Sequence, residues 1–180
     1  MVIRRTNKHK LWHAGEIEIA IAKHLNPRQN LIVPNVFWGW GNYEKDLVVV
    51  TSNHYAWEIE IKVSLADLKK DNNKRHGHYN NKIKRLYFAV PDKLKQEALK
   101  LIPERAGLFT VSEDSSGGLT FVSLVRAPTI NSRAEKIEDK DITKLYELAA
   151  MRIWDLKTHL YRLQVELTMA TTTTRKKEGW

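Results

Sequence analysis

The sequence predicts an α/β domain, a mixed central sheet flanked by helices, followed by a long C-terminal helix. Three observations carry this expectation. Residues 30–63 contain three extended runs rich in β-branched and aromatic residues, separated by turn signals. Further strand-like runs, "RLYFAVP" and "AGLFTV", are separated by a helical pattern. Residues 141–169 hold no Gly or Pro and repeat an apolar seam.

Taken in order, "AGEIEIAIAKHL" at 14–25 reads as a helix stopped by Asn26-Pro27. Ile17, Ile21 and Leu25 fall at four-residue spacing, and Glu16 and Glu18 sit in the first turn, where the helix dipole favours acids. "NLIVPNVFWGW" is a strand in which Pro34 points to an edge or a bulge. After the turn "GWGNYE", "KDLVVVT" and "YAWEIEIKV" are two further strands joined around "SNH". "SLADLKKDNNKR" starts a helix at Ser64, with Asp67 as its capping partner, and "HGHYNNK" is a polar loop. "RLYFAVP" is a strand ended by Pro91, and "DKLKQEALKLI" is a helix ending before Pro103. "AGLFTV" and "LTFVSLV" are strands separated by "SEDSSGG". The expected organisation is a core domain over 1–128, a connector over 129–140, a helix over 141–170 and a disordered tail over 171–180.

The seam of that last helix is Ile142, Tyr146, Ala149, Ile153, Leu156, Leu160, Leu163 and Leu167, at alternating spacings of four and three. Such a seam serves either a coiled-coil dimer through residues 141–169 or a helix laid across the domain's own core. Trp154, Leu145 and Leu148 widen the stripe.

The chain has 180 residues, with 30 Lys+Arg against 21 Asp+Glu, for a formal charge of +9. That excess favours a polyanionic partner, nucleic acid before an anionic membrane. No apolar run approaches the ~18 residues that cross a bilayer. The basic but not apolar N-terminal stretch leads us to expect a cytoplasmic protein. With no cysteine, thiolate metal sites, disulfide scaffolds and cysteine nucleophiles are excluded.

The chemistry concentrates in "KDLVVVTS" and "EIEIK". If the loop between these strands has an odd number of residues, such as Ser52-Asn53-His54, Thr51 faces Tyr55 and Asp46 faces Glu60. The two carboxylates then share a face, and Lys62 lies on it too. Two acids that close need a cation between them or a proton on one of them. Mg²⁺ or Mn²⁺, a hard ion content with two acids, a backbone carbonyl and waters, fits such a pair. With a lysine alongside, the set suits hydrolysis of a phosphodiester. An even loop would send the acids to opposite faces. The text pattern acid-x-Lys alone means little, since Asp67/Lys69, Glu138/Lys140 and Asp155/Lys157 also match it. The same charges would also serve as cross-strand ion pairs on a wet face. Against a fully wet sheet stands the run Leu47, Val48, Val49 and Val50, which implies cover on both faces.

A helix with Glu16, a meander carrying Asp46 and "EIK", a helix and the strand "RLYFAVP" together resemble the PD-(D/E)xK nuclease superfamily, the restriction-endonuclease-like αβββαβ fold. More narrowly, "EIEIKVSLADLKKD" with "KIKRLYFAVPDKL" is similar to small repair-associated and phage nucleases of the MmcB type; the likeness covers about residues 14–112. It implies a Mg²⁺-dependent nuclease in which Asp46, Glu60 and the Ile61 carbonyl hold metal, Lys62 is the catalytic lysine, and Glu16, or failing it Glu18, is the supporting helix acid. Lys45 stands where the superfamily name has proline.

Beside this constellation lies "KKDNNKRHGHYNNKIKR". Lys69, Lys70, Lys74, Arg75, His76, His78, Lys82 and Lys84 are the candidate phosphate contacts, and they serve equally as a solvated surface. Aromatics in "NVFWGWGNY" could stack on unpaired bases or pack within the domain. The expectation is therefore a metal-dependent deoxyribonuclease acting in repair, recombination or phage DNA metabolism. The alternative is a catalytically inactive nucleic-acid-binding or assembly protein on the same fold, dimerising through its last helix.

Overall fold

The computed structural model describes residues 11–37, 43–72, 80–113 and 120–177. Helix α1 (Ala14–His24) leads into strands β1 (Leu31–Val36), β2 (Lys45–Val50) and β3 (Ala56–Ile61). Helix α2 (Leu65–Asn72), strand β4 (Ile83–Pro91), a 3-10 turn (Asp92–Leu94) and helix α3 (Lys95–Leu101) follow. Strands β5 (Gly107–Glu113) and β6 (Thr120–Arg126) and helix α4 (Asp139–Lys177) complete the order. The strands form one mixed sheet in the order β1-β2-β3-β4-β5-β6. β1, β2 and β3 form the antiparallel meander, β3, β4 and β5 run parallel, and β6 returns antiparallel.

The elements follow from local chemistry. At the start of α1 the His13 N–H donates to Glu16 Oε2 at 2.9 Å, and after its end Asn26 takes the left-handed conformation (φ 54°). Ser64 caps α2 by accepting the Asp67 N–H at 3.2 Å, while Asp67 reaches back to the Val63 N–H. Pro34 is tolerated because β1 is an edge strand.

Both faces of the sheet are covered, as the unbroken valine run requires. On one face Ile17, Ala20 and Ile21 of α1 pack with Leu47, Val49, Ile59, Ile61, Ala89 and Phe109. On the other, Leu68 of α2 and Ala98 and Ile102 near α3 pack with Leu86, Phe88, Val90 and Leu108. Two parallel crossovers of one hand, β3-α2-β4 and β4-α3-β5, place both helices on the same side.

Residues 129–138 form no helix or strand but are tied down. The backbone N–H groups of Thr129, Asn131, Glu135 and Ile137 donate to the carbonyls of Arg105, Lys84, Asn81 and His54. Ala134 and Ile137 are buried. By contacts the chain divides into Met1–Ile142 and Thr143–Trp180, so this stretch belongs to the sheet unit. α4 begins at Asp139, within the expected connector, and reaches Lys177, within the expected tail. Along it Thr158 and Thr171 return their hydroxyls to carbonyls one turn earlier. No helix among the described residues is long and apolar enough to cross a membrane.

Candidate active site

The turn between β2 and β3 decides the site. Thr51 N–H donates to Tyr55 O and His54 N–H to Thr51 O, with His54 at φ 62°. This is a three-residue loop whose last residue is left-handed, and it fixes an odd count. The resulting register pairs Val50 with Ala56, Val49 with Trp57, Val48 with Glu58 and Leu47 with Ile59. Asp46 and Glu60 are the next opposed positions. The ladder stops at Leu47 and Ile59, and beyond it the Ile61 N–H donates to Asp46 Oδ2 at 2.7 Å in place of a strand carbonyl. Past the end of the ladder, the carboxylate takes over the role of the neighbouring strand.

Alternation along β3 then puts Glu58, Glu60 and Lys62 on the face shared with Phe88. All three are closed off, at 0%, 1% and 5% exposure. Lys62 Nζ donates to Glu60 Oε2 at 2.8 Å and stands 3.9 Å from Asp46 Oδ2, whose side chain is about a third exposed. The ammonium thus lies between the two acids, and the outer acid opens toward solvent.

Sequence reasoning does not single out three participants. Glu58 is fully buried and accepts the Tyr43 hydroxyl at 2.9 Å. Lys45 is fully buried as well, with its Nζ 4.0 Å over the Tyr43 ring. Burial pushes the Tyr43 hydroxyl well above its ordinary value; the Glu58 charge and hydrogen bond and the Glu60 charge add to this, against an opposing pull from Arg105. Burial lowers the Lys45 ammonium, while Glu58 and Glu60 pull it back up. An acid-x-acid-x-Lys run on one strand face is the available signal for Glu58. The lysine before Asp46 reads in the sequence only as a departure from the superfamily pattern, and Tyr43 only as part of a turn.

The other expected residues are placed as follows. Glu16 spends its carboxylate on the start of α1, and α1 covers the sheet face opposite the one carrying Glu60 and Lys62. Glu18, also on α1, is half-buried, which raises its carboxyl above the ordinary range. Lys69 and Lys70 are exposed in the last turn of α2. Lys82 pairs with Asp141 at 2.6 Å, and Lys84 lies 4.2 Å over the Tyr55 ring. Lys74, Arg75, His76 and His78, and the tryptophans of "NVFWGWGNY", fall outside the described residues.

The donor set suits a hard divalent ion: two carboxylates meeting at one point, already bridged there by a cation, beside the backbone of Ile61. Among the described residues no three His, Cys, Asp or Glu side chains converge as a metal-holding group. An ion here would complete its shell with a carbonyl and water.

The family model described as DNA repair protein MmcB-like matches residues 5–159. Among solved structures, a protein of unknown function from Silicibacter pomeroyi is similar in fold, with a TM-score of 0.56 at 21% identity. That match covers 85% of this chain and 94% of the other. Among curated proteins there is no significant match.

Proposed function

The chain belongs to the MmcB-like family of DNA repair proteins, and from that premise we propose that it is a metal-dependent deoxyribonuclease hydrolysing DNA phosphodiester bonds on a PD-(D/E)xK-type site. The observation carrying this reading is the convergence of Asp46 and Glu60 on Lys62 at the open end of the β2-β3 ladder. Asp46, Glu60 and the Ile61 carbonyl would hold Mg²⁺ or Mn²⁺, which would supply positive charge at the phosphate and lower the pKa of water.

The protein's own groups do the rest. The Ile61 N–H fixes the orientation of the Asp46 carboxylate at the open end of the ladder. Burial of Glu58 and Glu60 keeps bulk water from weakening the charges around the scissile bond. Lys62 Nζ, now 2.8 Å from Glu60, orients the attacking water and steadies charge on the phosphate oxygens. Lys69 and Lys70 hold flanking phosphates without reading sequence.

The test is nicking of supercoiled plasmid with Mg²⁺ and with EDTA, repeated for Asp46→Asn. Asparagine keeps an oxygen for the Ile61 N–H and removes the charge. Cleavage that survives EDTA or this substitution refutes the assignment. One observation favours the other reading, a DNA-binding protein without catalysis: Lys62 already bridges the acid pair and offsets part of its charge. That reading requires calorimetric Mn²⁺ titration to register no site that Asp46→Asn removes.

A further inference from the structure

We propose that α4 pairs with α4 of a second copy of this chain as an antiparallel coiled coil centred near residue 158. The proposal is independent of the catalytic reading. Within one copy, the seam from Tyr146 to Leu167 is left largely open: Tyr146, Ile153, Leu156, Leu160 and Leu167 are each more than half exposed. Counted from Ile142, the spacing of that seam is 3.5 residues per turn for about three and a half heptads, the period of a supercoiled partner helix and not of a helix lying on a sheet. α4 is long enough to present all of it, about 58 Å at 1.5 Å per residue.

Side-chain size selects the direction. In an antiparallel pair the seam positions of one type meet those of the other type. Centring near residue 158 sets Leu160 against Leu156 of the second copy and Ile153 against its Leu163. The same offset sets Leu167 against its Ala149 and Tyr146 against its Ala170. Each small residue therefore meets a large one, and the layer volumes are more even than in a parallel pair. A parallel pair would instead stack Tyr146 on Tyr146 and Ala149 on Ala149, alternating crowding with voids.

Charge selects the same direction. Flanking the seam, the antiparallel offset brings Arg152 beside Glu166 of the second copy, twice by symmetry. The parallel arrangement brings Arg152 beside Lys157, also twice, which repels. One Lys157–Lys157 approach near the two-fold axis remains as an unfavourable contact in the antiparallel form.

Sedimentation equilibrium of the full chain should give twice the chain mass at micromolar concentration. Leu160→Lys should return it to the single-chain mass with an unchanged far-UV spectrum. A single-chain mass for the wild type at all concentrations overturns the proposal. Direction is read from Arg152→Glu, at an exposed position of α4. In the antiparallel pair it faces Glu166 and should raise the dimer Kd about tenfold, and Arg152→Glu/Glu166→Arg should restore it. In a parallel pair it would face Lys157 and lower the Kd, and that outcome overturns the arrangement.

Discussion

Lys62 and Glu60, two residues apart on one strand face, share a 2.8 Å hydrogen bond that solvent does not reach. A buried ion pair loses more when halved than when replaced whole, because the survivor keeps its desolvation penalty. Lys62→Met or Glu60→Gln alone should cost about 3–5 kcal/mol, and the double variant clearly less than the sum. Urea unfolding of the four proteins checks the cycle; additive losses would mean that the pair is not coupled. All three variants should lack nicking activity.

Tyr43→Phe keeps the ring and removes one hydroxyl donor to the buried Glu58. A carboxylate left short of a donor should cost about 1–3 kcal/mol. A urea midpoint equal to wild type would show that Glu58 does not depend on this hydroxyl.

Lys45 makes stability depend on alkaline pH with a defined sign. Its folded pKa lies below the ordinary 10.5, so between the two values the unfolded chain binds more protons and stability rises with pH. Tyr43, raised above 10.0, works oppositely: the folded chain then holds the extra proton, and stability falls above pH 10. Lys45→Met should therefore abolish the rise below pH 10 and leave the fall above it, read from urea midpoints between about pH 7 and 11. An unchanged profile would remove Lys45 from the electrostatics of the site.

Exposed and engaged lysines should separate in DNA binding. Lys69→Ala and Lys70→Ala should each weaken duplex binding and reduce the slope of log K against log salt by about one. Lys82→Ala, which strips Asp141 of its 2.6 Å partner, should lower thermal stability while moving that slope little. Fluorescence anisotropy across a salt series, with melting curves, distinguishes the two behaviours.

Glu18 carries a raised carboxyl, so its contribution is most favourable below the ordinary value of 4.5 and is lost as pH rises through the folded value. Glu18→Gln should accordingly raise the melting temperature at pH 7, by no more than about 2–4 °C, and the gain should shrink toward pH 4. If the variant also lost nicking, Glu18 would be the helix acid.

Much of the fold is legible in the residues themselves. The order of strands and helices up to residue 126, the edge position of Pro34 and the Ser64–Asp67 cap follow from local chemistry that the fold leaves intact. The shared face of Asp46 and Glu60 rests on a single parity, and the left-handed His54 supplies it. Lys45 and Tyr43 are harder to see. Strand alternation assigns Lys45 to the face of Leu47, yet it feels the charges of Glu58 and Glu60; β2 is paired with β3 only from Leu47 onward, so the pattern along β3 gives no signal for it. The tethering of residues 129–138 is equally hidden, since most of it comes from backbone groups that carry no side-chain signature, although Asn131 and Glu135 add side-chain bonds to the Ile83 carbonyl and to Asn81.

That tethering decides where the gene can be trimmed. A fragment stopping at residue 128 would strip the seal from the carbonyls of Lys84, Asn81 and His54 and uncover the apolar bed beneath Ala134 and Ile137. One stopping at 142 keeps both and retains the whole sheet unit.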